Sequence, residues 1–243
     1  MRTISSRSLL SGVVERRFTV DGVPGIAWAP ATASDLPTPL VLLGHPGGLE
    51  GMYPRLVARA ESCAARGYAS AAIELPGAGD RPRIPAVDRA RDDLRRALSE
   101  GVPVTGDIVD RLVLPLVEQA APEWRATLDA LLLSASDPGA PVAWSGGVAA
   151  IAIRVARTDP RIRALGLFAG SYLPSRTFVE ARELTIPAHM LLQWDDEGND
   201  RQAALDLFDA LGSREKRCRP TSADTAACPF MRVRTPRGSS SGI

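Results

Sequence analysis

Two short apolar runs without polar alternation constrain the fold of this chain most. Residues 38–43 (TPLVLL) and 68–75 (YASAAIEL) each have the length of a strand and end in a loop rich in glycine and proline. Runs of this kind are typical of strands buried on both faces of a sheet. Between them, Leu56 to Arg66 has apolar residues at helical spacing and stops at Gly67. This strand–helix–strand order predicts a parallel sheet covered by helices.

The same alternation of strands and helices continues along the chain. Two β-rich runs, Val13 to Val20 and Gly25 to Ala29, flank Asp21-Gly22 and predict an antiparallel hairpin at the start. The later pattern predicts strands at 141–144, 164–169 and 187–193 and helices at 87–99, 107–120, 122–134, 146–157 and 201–211. The predicted fold is therefore α/β, a doubly wound, mostly parallel sheet with helices on both faces. We expect it to form one domain over residues 1–216.

Composition argues against several classes of partner and location. The 243 residues carry a net charge of +1 from 29 basic and 28 acidic side chains, so no nucleic acid or anionic membrane is expected as a partner. The longest apolar stretches are far shorter than the roughly 20 residues of a membrane span. The first 18 residues lack the apolar run and cleavage site of a secretory signal, so we expect a cytoplasmic protein. Cys63, Cys218 and Cys228 form no CxxC motif, which disfavours a disulfide framework or a zinc site.

The string AWSGG, residues 143–147, lies between a predicted strand and an alanine-rich helix. A serine nucleophile is presented best at a sharp strand-to-helix turn, with small residues two positions before and two after it. Ser145 fits this form as A-x-S-x-G, with Ala143 where the usual pattern has glycine. A serine that caps the helix N-terminus would give the same string, so both interpretations stay open.

The loop after the first buried strand reads His45-Pro46-Gly47-Gly48. An oxyanion needs two backbone N–H donors, one from the residue after the nucleophile and one from a loop after an earlier strand. Gly146 and Gly47 occupy those places, and His45 belongs to the same candidate oxyanion and substrate-binding loop. The alternative is a tight turn without catalytic function, in which Pro46 has no N–H to donate.

As an ordered set, seven strings between Val13 and Lys216 resemble the dienelactone-hydrolase-like branch of the α/β-hydrolases, a group of small bacterial esterase-type enzymes. The strings are PLVLLGHPGG, AAIELPGAGDRP, PEWRATLDALL, PVAWSGG, DPRIRALGLFAG, LLQWDDE and LFDALGSREK. The resemblance implies a Ser, Asp, His triad in that chain order and acyl-enzyme hydrolysis of a small carboxylic ester or lactone, without a metal or organic cofactor. On this resemblance Asp196 takes the place of the acid. A solvated acidic turn is the alternative for Asp196.

Two departures from the family pattern indicate impaired turnover. Matching Trp144 to the family tryptophan puts the nucleophile position on Gly147 rather than Ser145. The only histidines, His45 and His189, both precede Asp196, so no triad can form in the family order. His189 lies in a predicted buried strand, where a histidine with a structural role is expected. A non-catalytic hydrolase-fold protein or binding module is therefore the alternative function.

Residues 217–243 show no helical or alternating periodicity and carry a net charge of +4, whereas the first 216 residues carry −3. A disordered basic tail is one interpretation. The other is a frameshift near Lys216: back-translated with GC-rich codons and read two bases later, the tail admits Gly-Gly-His-Gly-Gly, the type of histidine loop the chain otherwise lacks. Sequencing of the coding DNA tests this hypothesis. The sequence does not predict an oligomeric state.

Overall fold

The computed structural model describes residues 1–31, 38–134, 139–168, 170, 172–194 and 200–221. These residues form nine strands and six helices. The strands are β1 (Arg2–Ser8), β2 (Val13–Val20), β3 (Val23–Pro30), β4 (Leu40–Gly44), β5 (Ala69–Ile73), β6 (Val142–Gly146), β7 (Ile162–Phe168), β8 (Ala188–Gln193) and β9 (Lys216–Thr221). The helices are α1 (Leu49–Ala64), α2 (Pro85–Ser99), α3 (Gly106–Leu133), α4 (Ala149–Thr158), α5 (Ser175–Arg182) and α6 (Arg201–Ala210).

All nine strands belong to one sheet with the order β1-β2-β3-β5-β4-β6-β7-β8-β9. The β1, β2 and β3 strands pair antiparallel, as do β3 and β5, and the remaining pairs are parallel. Asp21 (φ 50°) and Gly22 (φ 82°) form the predicted hairpin turn between β2 and β3. The predicted α/β class with a mostly parallel sheet is confirmed.

Helices cover the two faces of the sheet unequally. On one face, α3 and α4 pack over β6 and β7, with Trp124 and Trp144 in edge-to-face contact at 4.7 Å between ring centroids. On the other face, α1 packs over β3, β4 and β5 through a smaller cluster that includes Trp28, Leu43 and Leu56. We call these the packed face and the α1 face. No helix among the described residues is long and apolar enough to cross a bilayer.

The region predicted as two helices, 107–120 and 122–134, is one continuous helix, α3. That prediction treated Pro122 as a residue near a helix start. Proline inside a helix costs a backbone hydrogen bond and strains the preceding turn. Here Val117, Ala121 and Trp124 on either side of Pro122 are buried in the core, and this packing outweighs the local cost.

Two boundaries near the predicted site and tail also differ from expectation. The α4 helix begins at Ala149 with Val148 as its N-cap, while β6 continues to Gly146 in register with β4, so Ser145 is a strand residue and the helix-cap interpretation is wrong. Residues 217–221 pair with β8 and extend the sheet beyond the predicted boundary at 216. Residues 222–243 lie outside the described residues, so the irregular tail and its frameshift stay predictions for that segment.

Candidate functional site

The ends of β4 and β6 lie side by side at the carboxyl edge of the sheet. Leu43 is in register with Ser145, and Gly44 with Gly146. The loop of residues 45–48 leaves the sheet after Gly44, and the turn into α4 leaves it after Gly146. The structure therefore brings together the two segments that the sequence selected for the nucleophile and the oxyanion donors.

Glycines allow these two segments to touch through their backbones. A Cβ atom on Gly44 would lie 2.5 Å from the carbonyl oxygen of Gly146, and one on Gly147 would lie 2.7 Å from the Gly44 Cα and the His45 nitrogen. Gly146 and Gly147 both have φ of 78°, a conformation that side chains other than glycine rarely adopt. The turn is thus formed by two residues without side chains.

Ser145 lies one position before that turn, inside β6, and is half-buried. Successive side chains of a strand point to opposite faces, and since Trp144 points to the packed face, Ser145 points to the α1 face. There its Oγ accepts a hydrogen bond at 3.0 Å from Nη2 of Arg59 on α1. The same guanidinium donates to the carbonyl oxygens of Gly44 and Ser145, so Arg59 links α1 to the ends of β4 and β6.

His45 is buried beneath the loop that follows β4, with a 2% exposed surface. Its Nδ1 lies against the carbonyl oxygen of Gly47 and its Nε2 is 2.8 Å from that of Ile73. Burial lowers the pKa of His45, although the two carbonyl oxygens and the charge of Glu74 act in the opposite direction. A neutral imidazole has one N–H, so it donates to one of these carbonyls at a time. The ring therefore supports the backbone of the loop that carries Gly47.

Glu74 fixes the other end of this loop, and sequence reasoning missed it. Its carboxylate is 6% exposed and accepts hydrogen bonds from the Leu49 nitrogen at 3.0 Å and the Leu75 nitrogen at 3.2 Å. The bond to Leu49 satisfies an N–H at the start of α1, directly after Gly48. An acidic residue at the end of a buried strand, as in AAIEL, was the available signal.

His189 and Ser145 lie on the same face of the sheet but are two strands apart. Ser145 is in register with Gly166 on β7, and Gly166 with His189 on β8, so their backbones are about 10 Å apart. His189 is half-buried, and burial together with the charges of Arg219 and Arg217 lowers its pKa. Asp196, the predicted acid, lies outside the described residues. In the part of the chain that the structure describes, no three His, Cys, Asp or Glu side chains are grouped to hold a metal ion.

Comparison with known proteins adds to this geometry. No protein-family model matches the chain, and no curated protein sequence does. A solved structure of a cold-adapted esterase from an Arctic intertidal metagenomic library is 26% identical, with a TM-score of 0.66 over 93% of this chain and 91% of the esterase. The chain belongs to the α/β-hydrolase superfamily. The loop after β4 and the turn after β6 are parts of this hydrolase fold.

Two solved structures with lower sequence identity share only the fold with this chain. A protein from Klebsiella pneumoniae subsp. pneumoniae MGH 78578 that is assigned as a dienelactone hydrolase is 15% identical, with a TM-score of 0.59 over 87% of this chain and 86% of its own. An acetyl xylan esterase from Paenibacillus sp. R4 is 14% identical, with a TM-score of 0.57 over 94% of this chain and 84% of its own. At these identities the two neighbours support the fold and carry no argument about activity.

Proposed function

We propose that the protein keeps the architecture of a carboxylic ester or lactone hydrolase but catalyses acyl transfer only at a residual rate. The observation that carries this proposal is the turn after β6. An α/β-hydrolase presents its nucleophile from such a strand-to-helix turn, and here Gly146 and Gly147 occupy it. Because the members of a triad work as a unit, loss of one costs about 10⁴ to 10⁶ in turnover.

The loop that would hold an oxyanion is better preserved than the nucleophile position. His45 and Glu74 fix its two ends through buried hydrogen bonds to backbone groups. The amides of Gly47 and Gly146 are the donors we propose for a substrate carbonyl oxygen. Donors of this kind give some stabilisation of the tetrahedral intermediate even without a triad. The 26% identical esterase supports an ester as the substrate class.

Ester hydrolysis through Ser145 is the second candidate function. In that mechanism the Ser145 hydroxyl attacks the carbonyl carbon, a base removes its proton, and the alcohol leaves before water releases the acid. Ser145 is half-buried rather than fully enclosed, which favours this candidate. The hydrogen bond from Arg59 is suited to a serine oxygen that carries negative charge.

Hydrolysis of p-nitrophenyl acetate by the wild type, Ser145→Ala and Ser134→Ala separates the two candidates. Ser134 follows α3 and donates to the Leu131 carbonyl, so it is a control for the chemical change alone. We expect a kcat/KM about 10⁴-fold or more below that of a competent esterase, and equal rates in the three proteins. Turnover that only Ser145→Ala abolishes, together with labelling of Ser145 by a fluorophosphonate, would reject the loss of the nucleophile.

A further inference from the structure

A cavity of about 1010 Å³ lies on the α1 face, between α1 and β9. It lies over the middle of the strands, whereas the oxyanion loop lies at their carboxyl edge. Its floor consists of sheet residues with small or apolar side chains, among them Val41, Leu43, Ala143, Ala164 and Gly166. On the packed face, α3 and α4 cover the same strands. The cavity exists because no described helix covers this part of the sheet.

The charged residues around this cavity are almost all cationic. Its lining contains five arginines and one lysine but one glutamate, Glu215. Three of the cations have backbone partners. Arg59 donates to carbonyl groups at the ends of β4 and β6, Arg66 to the carbonyl of Ser62, and Lys216 to three carbonyls near the end of α6. Arg217 and Arg219 on β9 have no carboxylate partner among the described residues. Both arginines line the cavity together with His189.

A cavity with an apolar floor and a cationic edge is complementary to a ligand with an apolar chain and an anionic head. We propose that this cavity binds a small anionic amphiphile, with an unbranched apolar chain against the sheet and a carboxylate at Arg217 and Arg219. Arginine matches carboxylates well, because its planar guanidinium donates two parallel hydrogen bonds. The cavity volume is in the range of small-molecule sites.

Charge argues against the chain's own remaining segment as the occupant. Residues 222–243 contain three arginines and one acidic residue, so this segment has the same sign of charge as the edge of the cavity. A cationic segment beside Arg217 and Arg219 would be repelled, whereas a carboxylate would be attracted. The anionic ligand is therefore the better complement.

Decanoate and 1-decanol are a matched pair of probes, with the same chain length and a charged or neutral head. Their binding to the full chain is measured by calorimetry at 50 and 500 mM NaCl. We expect decanoate to bind about tenfold more tightly than 1-decanol at low salt, and this difference to shrink at high salt. Equal affinities for the two probes at low salt, or no binding of decanoate, would overturn the proposal.

Variants of the two arginines locate the charged head. Arg217→Gln with Arg219→Gln should weaken decanoate binding about tenfold and leave 1-decanol binding unchanged. Arg89→Gln with Arg95→Gln is the matched control, because these two arginines are exposed on α2, away from the cavity. Undiminished decanoate affinity in the first double variant, or equal losses in both, contradicts the assignment.

One cysteine in the cavity lining gives a readout that needs no variant. Cys63 on α1 is half-buried, belongs to the α1 face and lines the cavity. Cys218 on β9 packs against the core of the packed face, so its thiol points away from the cavity and is the internal control. Decanoate bound in the cavity should slow the alkylation of Cys63 by iodoacetamide but not that of Cys218, measured for each cysteine by peptide mass spectrometry. A Cys63 alkylation rate that decanoate does not change would place any bound decanoate elsewhere and reject this site.

Discussion

The two faces of the sheet differ in how completely their strands are covered, and β6 shows the contrast within neighbouring residues. Trp144 points to the packed face, is 2% exposed and contacts Trp124. Ser145, the next residue, points to the α1 face and lies beside a large cavity. The same strand thus contributes a buried core residue to one face and a polar residue beside the cavity to the other. The packed face accounts for most of the buried apolar surface, and the uncovered part of the α1 face around the cavity is where substitutions should be tolerated.

Trp144→Ala should have the largest effect and tests the packed face directly. The substitution removes the contact with Trp124 and the hydrogen bond from the indole to the Gly146 carbonyl. Loss of a buried tryptophan typically costs about 3–5 kcal/mol of unfolding free energy. Urea denaturation measures it, with Ser145→Ala on the α1 face as the control at about 1 kcal/mol or less. Equal losses at the two positions would remove the contrast between the faces.

Glu15→Gln tests the best-anchored part of the α1 face. The Glu15 carboxylate is 1% exposed and accepts hydrogen bonds from Tyr53 on α1, from the Trp28 indole at 2.9 Å and from Arg7 at 3.0 Å. Burial alone would raise the pKa of Glu15, but these hydrogen bonds and the Arg7 charge outweigh it and lower the pKa below its ordinary value. At pH 7 the substitution should cost about 1–3 kcal/mol of unfolding free energy.

The pH dependence of this loss has a definite sign. A carboxyl group whose pKa is lower in the folded than in the unfolded protein stabilises the fold above its ordinary pKa. That contribution disappears as the pH falls through the lowered pKa. The difference in unfolding free energy between wild type and Glu15→Gln should therefore be constant near pH 7 and shrink below about pH 4.5. A difference that grows on acidification contradicts the assigned hydrogen bonds.

Ala164→Leu should have the smallest effect of these substitutions, and Ala152→Leu is its matched partner for comparing free space on the two faces. Ala152 on α4 is completely buried on the packed face, and Ala164 on β7 lines the cavity. Extra methyl groups in a close-packed core typically cost about 1–3 kcal/mol. Ala164→Leu should change the unfolding free energy by about 0.5 kcal/mol or less, since its side chain has room. A larger loss from Ala164→Leu than from Ala152→Leu would contradict the free space beside Ala164.

The pattern of apolar residues in the sequence was sufficient to predict the fold, but it predicted the candidate site only in part. Continuous apolar runs as short as TPLVLL that end at glycine and proline favour buried strands over helices, so the sheet and its helices were predictable. Local signals failed at Pro122, where burial of the neighbouring residues on α3 overrides the proline. Adjacent parallel strand ends explain why the loop after β4 and the turn after β6 could be paired in advance.

The position of the Ser145 side chain depends on where β6 ends, to within one residue. The pattern A-x-S-x-G suggested that Ser145 stands at the turn, but β6 continues one residue farther and the turn falls on two glycines. A shift of one residue moves a side chain to the opposite face of a sheet, and no composition signal fixes it at a glycine-rich end. Arg59 and Glu74, which hold this region together, come from distant parts of the sequence and had no local pattern.

The close contact of Gly147 with Gly44 and His45 limits which residues can occupy the turn. A serine at position 147 would bring its Cβ to within 2.7 Å of three backbone atoms at the end of β4 and the start of the next loop. A hydroxyl at this position would thus require the two backbone segments to move apart together. A single substitution there would disturb the ends of two neighbouring strands at once.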